Sequence, residues 1–380
     1  MRTALSLDAG RSGSDLRELR QTVRSFLNAE LDRGAFVPTV DSWLTGWSVE
    51  FSKSLASRGW LGMTIPKEYG GHGMSFLERF VVTEELLSFG APVAAHWVAD
   101  RQAAPTILRF GTFEQKQRLL PAIARAEAFF AIGMSEPDSG SDLASVRTRA
   151  RRVDGGWSVT GTKVWTSGAH AADLVVVLVR TSGQHGDRHS GLSQLIVDLR
   201  SPGVDIRPIT SMTGEHHFNE VVLDSVLVPD GDVLGQEGDG WAQVTSELGF
   251  ERSGPERFLS VAPLVSEVLQ AIKQDLVEST PEIGRMLARF HALHQMSFAV
   301  ALALEGHQEA DTAAAAVKML GTMTEGDFVE SVDLLTAPVR DGRPLGALVD
   351  AAVAQRPGFT LRGGTNEVLR GVVARGLGLR

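Results

Sequence analysis

The spacing of apolar residues along this 380-residue chain changes character twice. Leu16, Leu19, Val23, Phe26 and Leu27 recur at intervals of three and four, which places them on one stripe of a helix. Leu77–Leu87 and Phe113–Leu120 read the same way. Between these helices, Gly62-Met-Thr-Ile-Pro-Lys-Glu-Tyr-Gly-Gly-His-Gly73 is a loop punctuated by glycine and proline. Over residues 129–238 the pattern shortens to β-branched runs separated by polar turns. Trp157-Ser-Val-Thr-Gly161, Leu174-Val-Val-Val-Leu-Val-Arg180, Ser193-Gln-Leu-Ile-Val-Asp-Leu199 and Glu220-Val-Val-Leu-Asp-Ser-Val-Leu-Val-Pro229 are the predicted strands. Past Gly240 the helical period returns, most clearly across Ile283–Gly306 and Thr312–Leu335. The order helical, β, helical predicts a multidomain α+β chain with boundaries at 1–128, 129–238 and 239–380, without tandem repeats or low-complexity tails.

Composition narrows the function classes. The net charge of −9 disfavours a nucleic-acid surface. The longest apolar runs, such as Leu174–Val179, are too short to span a bilayer. The first twenty residues lack a long apolar stretch before a small-residue cleavage site, so a cytoplasmic location is expected. The absence of cysteine excludes disulfides, thiolate zinc sites and cysteine nucleophiles. The neighbours His216 and His217 fall on a predicted strand, which sends them to opposite faces, and no metal site is expected there.

Two segments carry candidate chemistry. Ile132-Gly-Met-Ser-Glu-Pro-Asp-Ser-Gly-Ser-Asp142 sets Ser135, Ser139, Gly140 and Ser141 in a turn beside Met134. Glycine there lets backbone N–H groups approach a flat polar ring or a phosphate. About twenty residues on, Lys163-Val-Trp-Thr-Ser167 offers a tryptophan able to cover one face of an aromatic cofactor. Together they resemble the flavin-binding signature of the acyl-CoA dehydrogenase family, and the resemblance spans nearly the whole chain. It implies an N-terminal helical domain, a middle β domain and a C-terminal four-helix bundle enclosing FAD. The implied reaction is α,β-dehydrogenation of an acyl-CoA thioester, in which a carboxylate base removes an α proton while a β hydride passes to the flavin. Such a base requires a pKa raised by a dry apolar pocket, and the thioester oxygen requires hydrogen-bond donors.

Carried onto this sequence, the resemblance places Met134 and Ser135 along the flavin edge and Ser141 near both cofactor and CoA. Trp165, Thr166 and Ser167 lie against the isoalloxazine. Thr365 and Glu367 open the last helix beside the cofactor, although a capping role for Thr365 is an equal alternative. The base departs from the commonest pattern. Leu361-Arg-Gly-Gly-Thr-Asn-Glu-Val-Leu-Arg370 puts Gly363 where many members carry a glutamate. A smaller group places the base in a Glu-Arg pair before the bundle, and Leu248-Gly-Phe-Glu-Arg-Ser-Gly254 makes Glu251 the catalytic candidate, with Glu247 as competitor. Arg252 then orients Glu251 or contacts substrate, and the Gly363 amide donates to the thioester oxygen.

Two further departures concern what one subunit gives its neighbour. Typical members use an Arg-x-x-Phe-Gly segment and a Gln-x-x-Gly-Gly-x-Gly segment to complete a partner's flavin site. Here the corresponding stretches read Gln274-Asp-Leu-Val-Glu-Ser-Thr-Pro-Glu-Ile-Gly284 and Asp333-Leu-Leu-Thr-Ala-Pro-Val-Arg-Asp-Gly-Arg343. The chain is therefore expected in a dimer or tetramer, either heteromeric with a second subunit of this family, as in actinobacterial sterol side-chain dehydrogenases, or homomeric with FAD held by other residues. The resemblance also implies electron-transferring flavoprotein as acceptor and a branched, bulky or ring-bearing acyl group. An oxidase or monooxygenase on the same fold, and a non-catalytic subunit, are the competing readings.

Overall fold

The structure is a computed structural model that describes residues 13–183, 188–252, 254–308, 310–339 and 342–379; the side chains of 13, 14 and 248–251 lie outside that description. The chain opens with helices α1 (Gly13–Asp32), α2 (Ser42–Thr45), α3 (Val49–Ala56), α4 (Phe76–Ser88), α5 (Ala94–Val98), α6 (Ala104–Phe110) and α7 (Phe113–Ala124). Strands β1 (Phe130–Gly133), β2 (Arg149–Val153), β3 (Gly156–Lys163), β4 (Leu174–Arg180), β5 (Leu192–Asp198), β6 (Val204–Thr210) and β7 (His216–Pro229) follow. Helices α8 (Gly240–Arg252), α9 (Ala262–Lys273), α10 (Pro281–Glu305), α11 (Asp311–Thr336), α12 (Pro344–Phe359) and α13 (Asn366–Gly376) complete it. The predicted helical, β and helical stretches all appear. Strands β1, β2 and β6 were not foreseen: β1 has four residues, β2 buries only Ala150, and β6 carries Pro208 and stays largely solvated.

Two compact units emerge, and neither is a single stretch of sequence. The first gathers residues 1–42, 74–91 and 253–356. Its helix α4 starts from a capping box, in which Ser75 accepts from the Glu78 amide while Glu78 accepts from the Ser75 amide. Leu77 and Phe80 of α4 pack with Ala301 of α10, and Phe298 meets the Phe80 ring edge-on at 5.6 Å. On the same face of α4, one turn beyond Phe80, Glu84 takes the guanidinium of Arg20 at 2.5 Å and His294 at 2.6 Å. Helices α10 and α11 close over Phe258, Leu293, Val300 and Val317.

The second unit gathers residues 43–73, 92–252 and 357–380 and contains the whole sheet. Its strand order is β1-β4-β2-β3-β7-β6, with β5 also paired to β4. Strand β4 is apolar without a break because both its faces are covered. Val175 and Val177 join Leu195, Val197, Val221 and Val226 in one core. Val176 points the other way, to Phe130, Ile196, Ile107, Leu120 and Ile123. This core holds β1 parallel to β4 in the register Phe130↔Leu174 to Gly133↔Val177. The exits of β1 and β3 carry the two segments singled out in the sequence.

Candidate functional site

Strand β1 ends at Gly133 and the chain enters the Ser/Gly turn. The turn closes on itself: the Glu136 amide donates to the Ser139 carbonyl at 2.7 Å and the Ser139 amide to the Glu136 carbonyl at 3.0 Å. The Ser139 hydroxyl donates to the Asp142 carbonyl at 2.8 Å. Met134 and Ser135 are half-buried at the start of the turn, while Gly140 and Ser141 are exposed at its tip. Among the described residues, no heavy atom lies within 4 Å of where a Cβ on Gly140 would stand, so they leave the tip open on that side.

A buried ion pair binds this turn to the second segment. The Lys163 ammonium, fully buried, reaches the Glu136 carboxylate at 2.8 Å and the Met134 carbonyl at 3.1 Å. Glu136 also accepts from the Thr148 hydroxyl at 2.6 Å, the Thr148 amide at 2.9 Å and the Arg147 amide at 2.6 Å. Burial pushes the Glu136 carboxyl up, but the Lys163 charge and these donors outweigh it and hold it below its ordinary value. Burial also lowers the Lys163 ammonium to about 8 against the pull of Glu136. One residue on, the Val164 amide donates to the Ser135 carbonyl at 2.9 Å. The pair thus sets the register between residues 134–136 and 163–164.

The strip that follows is unusual in backbone and exposure. Trp165 sits in the left-handed region at φ 59°, with 59% of its surface exposed, and its ring meets Phe218 edge-on at 5.6 Å. A bulky residue at positive φ is an outlier that marks strain or a functional constraint. Thr166 is fully buried, and its hydroxyl has no hydrogen-bond partner among the described residues. Ser167 is half-buried. An exposed tryptophan in a left-handed backbone, next to an open Ser/Gly turn whose tip is accessible, fits a flat ring system, and FAD meets that description.

A second group of site residues lies on α8 and the loop before α13. Glu251 falls in the last turn of α8, and its side chain lies outside the described residues. Arg252 is buried and its Nε donates to the Gly363 carbonyl at 3.1 Å. This anchoring of the loop is a contact the sequence did not reveal. Gly363 and Gly364 have φ of 66° and 86°, so residues with a side chain are strained at both. Arg362 lies over the rings of Trp43 at 4.5 Å and Phe359 at 5.1 Å. Thr365 caps α13, accepting from the Val368 amide at 3.3 Å, so the capping role is realised. Glu367 is exposed in the first turn of α13. The competitor Glu247 is buried and accepts from Gln194 Nε2 at 3.3 Å.

The structure therefore joins the predicted residues in two sets, Met134–Ser141 with Trp165–Ser167, and Arg252 with Gly363. His216 is exposed and His217 buried, as strand alternation requires. The sequence pattern does not reveal the Lys163–Glu136 pair or Asn219, because nothing in it shows which polar groups meet inside a fold.

Known proteins resemble this chain in sequence and fold. The model for "Acyl-CoA dehydrogenase, N-terminal domain" matches residues 13–127, and that for "Acyl-CoA dehydrogenase, middle domain" matches residues 131–226. The chain is 36% identical over 332 residues to acyl-CoA dehydrogenase FadE29 of Mycobacterium tuberculosis, covering 83% of this chain and 84% of the relative. It is 35% identical over 334 residues to FadE34 of the same organism, covering 85% of this chain but spanning less than half of that longer relative, 45%. Among solved structures, the Tcur3481-Tcur3483 steroid ACAD superposes with a TM-score of 0.86 at 30% identity, covering 97% of this chain and 99% of that one. The ChsE4-ChsE5 complex of Mycobacterium tuberculosis gives 0.80 at 31% identity, covering 98% and 99%. With both domain models spanning the N-terminal helices and the sheet, and relatives aligned across most of the length, the chain belongs to the acyl-CoA dehydrogenase family of oxidoreductases.

Proposed function

We propose that this protein is an FAD-dependent acyl-CoA dehydrogenase that converts an acyl-CoA thioester to the trans-2-enoyl-CoA, with Glu251 as the base. The observation that carries the reading is the Arg252–Gly363 hydrogen bond. It ties the Glu-Arg pair of α8 to the loop position where many family members hold their glutamate. A carboxylate displaced from residue 363 to residue 251 then serves the same α carbon from the neighbouring helix.

FAD, when bound, supplies the acceptor for the β hydride. Trp165 would cover the ring, with Thr166 buried behind it to support the strip. Met134, Ser135, Ser141 and Ser167 line the cofactor edge, Ser141 also facing CoA, and Thr365 and Glu367 serve at the start of α13. Glu251 removes the α proton, while the Gly363 amide donates to the thioester oxygen as charge develops there. Arg252 fixes the loop that presents this amide. Similarity to a steroid ACAD and to the ChsE4-ChsE5 complex supports a bulky or ring-bearing acyl group and a heteromeric assembly. Electron-transferring flavoprotein is the acceptor.

The test is anaerobic titration of the flavin-loaded protein with a panel of acyl-CoAs. Absorbance near the flavin maximum bleaches with the correct thioester, whereas Glu251→Gln keeps its flavin and loses bleaching by at least about 100-fold in rate. Undiminished bleaching in that variant moves the base elsewhere, with Glu247 next in line.

A further inference from the structure

Two histidines, His170 and His216, meet one fully buried side chain, Asn219 of β7. Backbone and side chain of Asn219 both grip the strip that carries Trp165 and Thr166. The Thr166 amide donates to the Asn219 carbonyl at 3.0 Å and the Asn219 amide returns a bond to the Thr166 carbonyl at 3.1 Å. Asn219 Nδ2 donates to the same Thr166 carbonyl at 2.9 Å and lies 3.4 Å from the His217 carbonyl, which itself accepts from the Gly168 amide at 2.8 Å. Carbonyls only accept, so the side facing them is the NH2 group and Oδ1 faces outward. His216 Nε2 at 2.8 Å and His170 Nδ1 at 3.2 Å meet that oxygen, and both nitrogens therefore carry hydrogens. The two rings lie 4.2 Å apart, and Phe218, next to Asn219, supports Trp165.

We propose that Asn219 is a positioning residue for flavin binding, holding Thr166 in place and with it the left-handed backbone of Trp165, and that His216 and His170 fix the orientation of its amide. This role rests on the flavin reading above for its purpose, but not for its geometry. The left-handed Trp165 requires an outside constraint, and Asn219 is the group that bonds to the next residue three times. Asn219→Asp removes the donor and turns an oxygen toward the Thr166 carbonyl, whereas Asn219→Ala removes the side chain and leaves the backbone pairing.

Two measurements on wild type, Asn219→Asp, Asn219→Ala and the double variant His170→Ala/His216→Ala test this. Amide hydrogen exchange on the flavin-free chain is expected to rise about tenfold or more at Thr166 and Gly168 in both Asn219 variants. The double variant rises less, and Val221 to Leu223 of β7 keep wild-type protection. FAD titration is expected to show affinity reduced about tenfold in the Asn219 variants, with a shifted flavin absorption band. Wild-type exchange at Thr166 and Gly168, or uniform loss of protection along β7, overturns the positioning role. Faster exchange with unchanged FAD affinity and spectrum overturns its link to flavin. A wild-type chain that takes up no FAD, alone or with a partner subunit, strikes the cofactor reading itself, a result the exchange data keep separate.

Discussion

A buried hydroxyl without a hydrogen-bond partner costs a fold about 1–3 kcal/mol, and Thr166 carries one in the middle of the candidate site. Thr166→Val is therefore expected to leave the flavin-free protein as stable as wild type or up to about 1 kcal/mol more stable, because the unsatisfied group is gone. The same change should leave FAD affinity within about twofold, because the hydroxyl is sealed from the surface a cofactor would touch. Denaturant unfolding of the flavin-free protein and flavin titration check the two halves, and a loss of either stability or affinity would contradict the assignment. His96 gives a pH prediction of definite sign. Buried beside Ser52 Oγ at 2.8 Å, it is lowered to about 4 by burial, with Asp100 opposing and Arg101 adding to the effect. The folded chain then binds fewer protons than the unfolded chain between about 4 and 6.5, so stability falls as pH falls through that window. His96→Asn should flatten this part of the profile, measured as the change in unfolding free energy between the two pH values.

At the scale of elements, α13 separates two roles for one residue. Thr365 caps the helix, so Thr365→Ala should cost about 1 kcal/mol while Thr365→Ser costs little. If capping is its whole role, FAD affinity follows neither change; a loss in both variants beyond the stability effect marks direct cofactor contact. Flavin titration beside thermal unfolding reads the difference. Long periodic elements were legible in the sequence: α10 and α11 match their apolar period, and β4 matches its apolar run. Strands β2 and β6 were not, because their residues are mostly solvated and owe their form to pairing with β3 and β7.

For the whole molecule, the acidic stretch at 274–284 remains the main departure from a self-sufficient flavin enzyme. On the family resemblance read from the sequence, Asp275, Glu278 and Glu282 stand where typical members would offer arginine to a pyrophosphate in the neighbouring subunit. Asp275 adopts φ 56°, Val277 is buried, and Thr280 caps α10 by accepting from the Ile283 amide at 3.4 Å, so the stretch is built into its own fold. Co-expression with a second subunit of this family should raise FAD content per chain at least about twofold and shift elution to the size of a heteromer. Absorbance and size-exclusion chromatography check this, and full flavin occupancy in a homo-oligomer would contradict it.

What the sequence determined by itself was the order of helical and β regions, the Ser/Gly turn, the aromatic strip, and the absence of a carboxylate at residue 363. These are local facts, set by periodicity and residue type. Only the tertiary structure decided that Arg252 would hold the Gly363 carbonyl, that Lys163 and Glu136 would meet inside the fold, and that Asn219 would grip Thr166. Those contacts join residues 27 to 111 positions apart, and their partners follow from how strands and helices stack rather than from spacing along the chain.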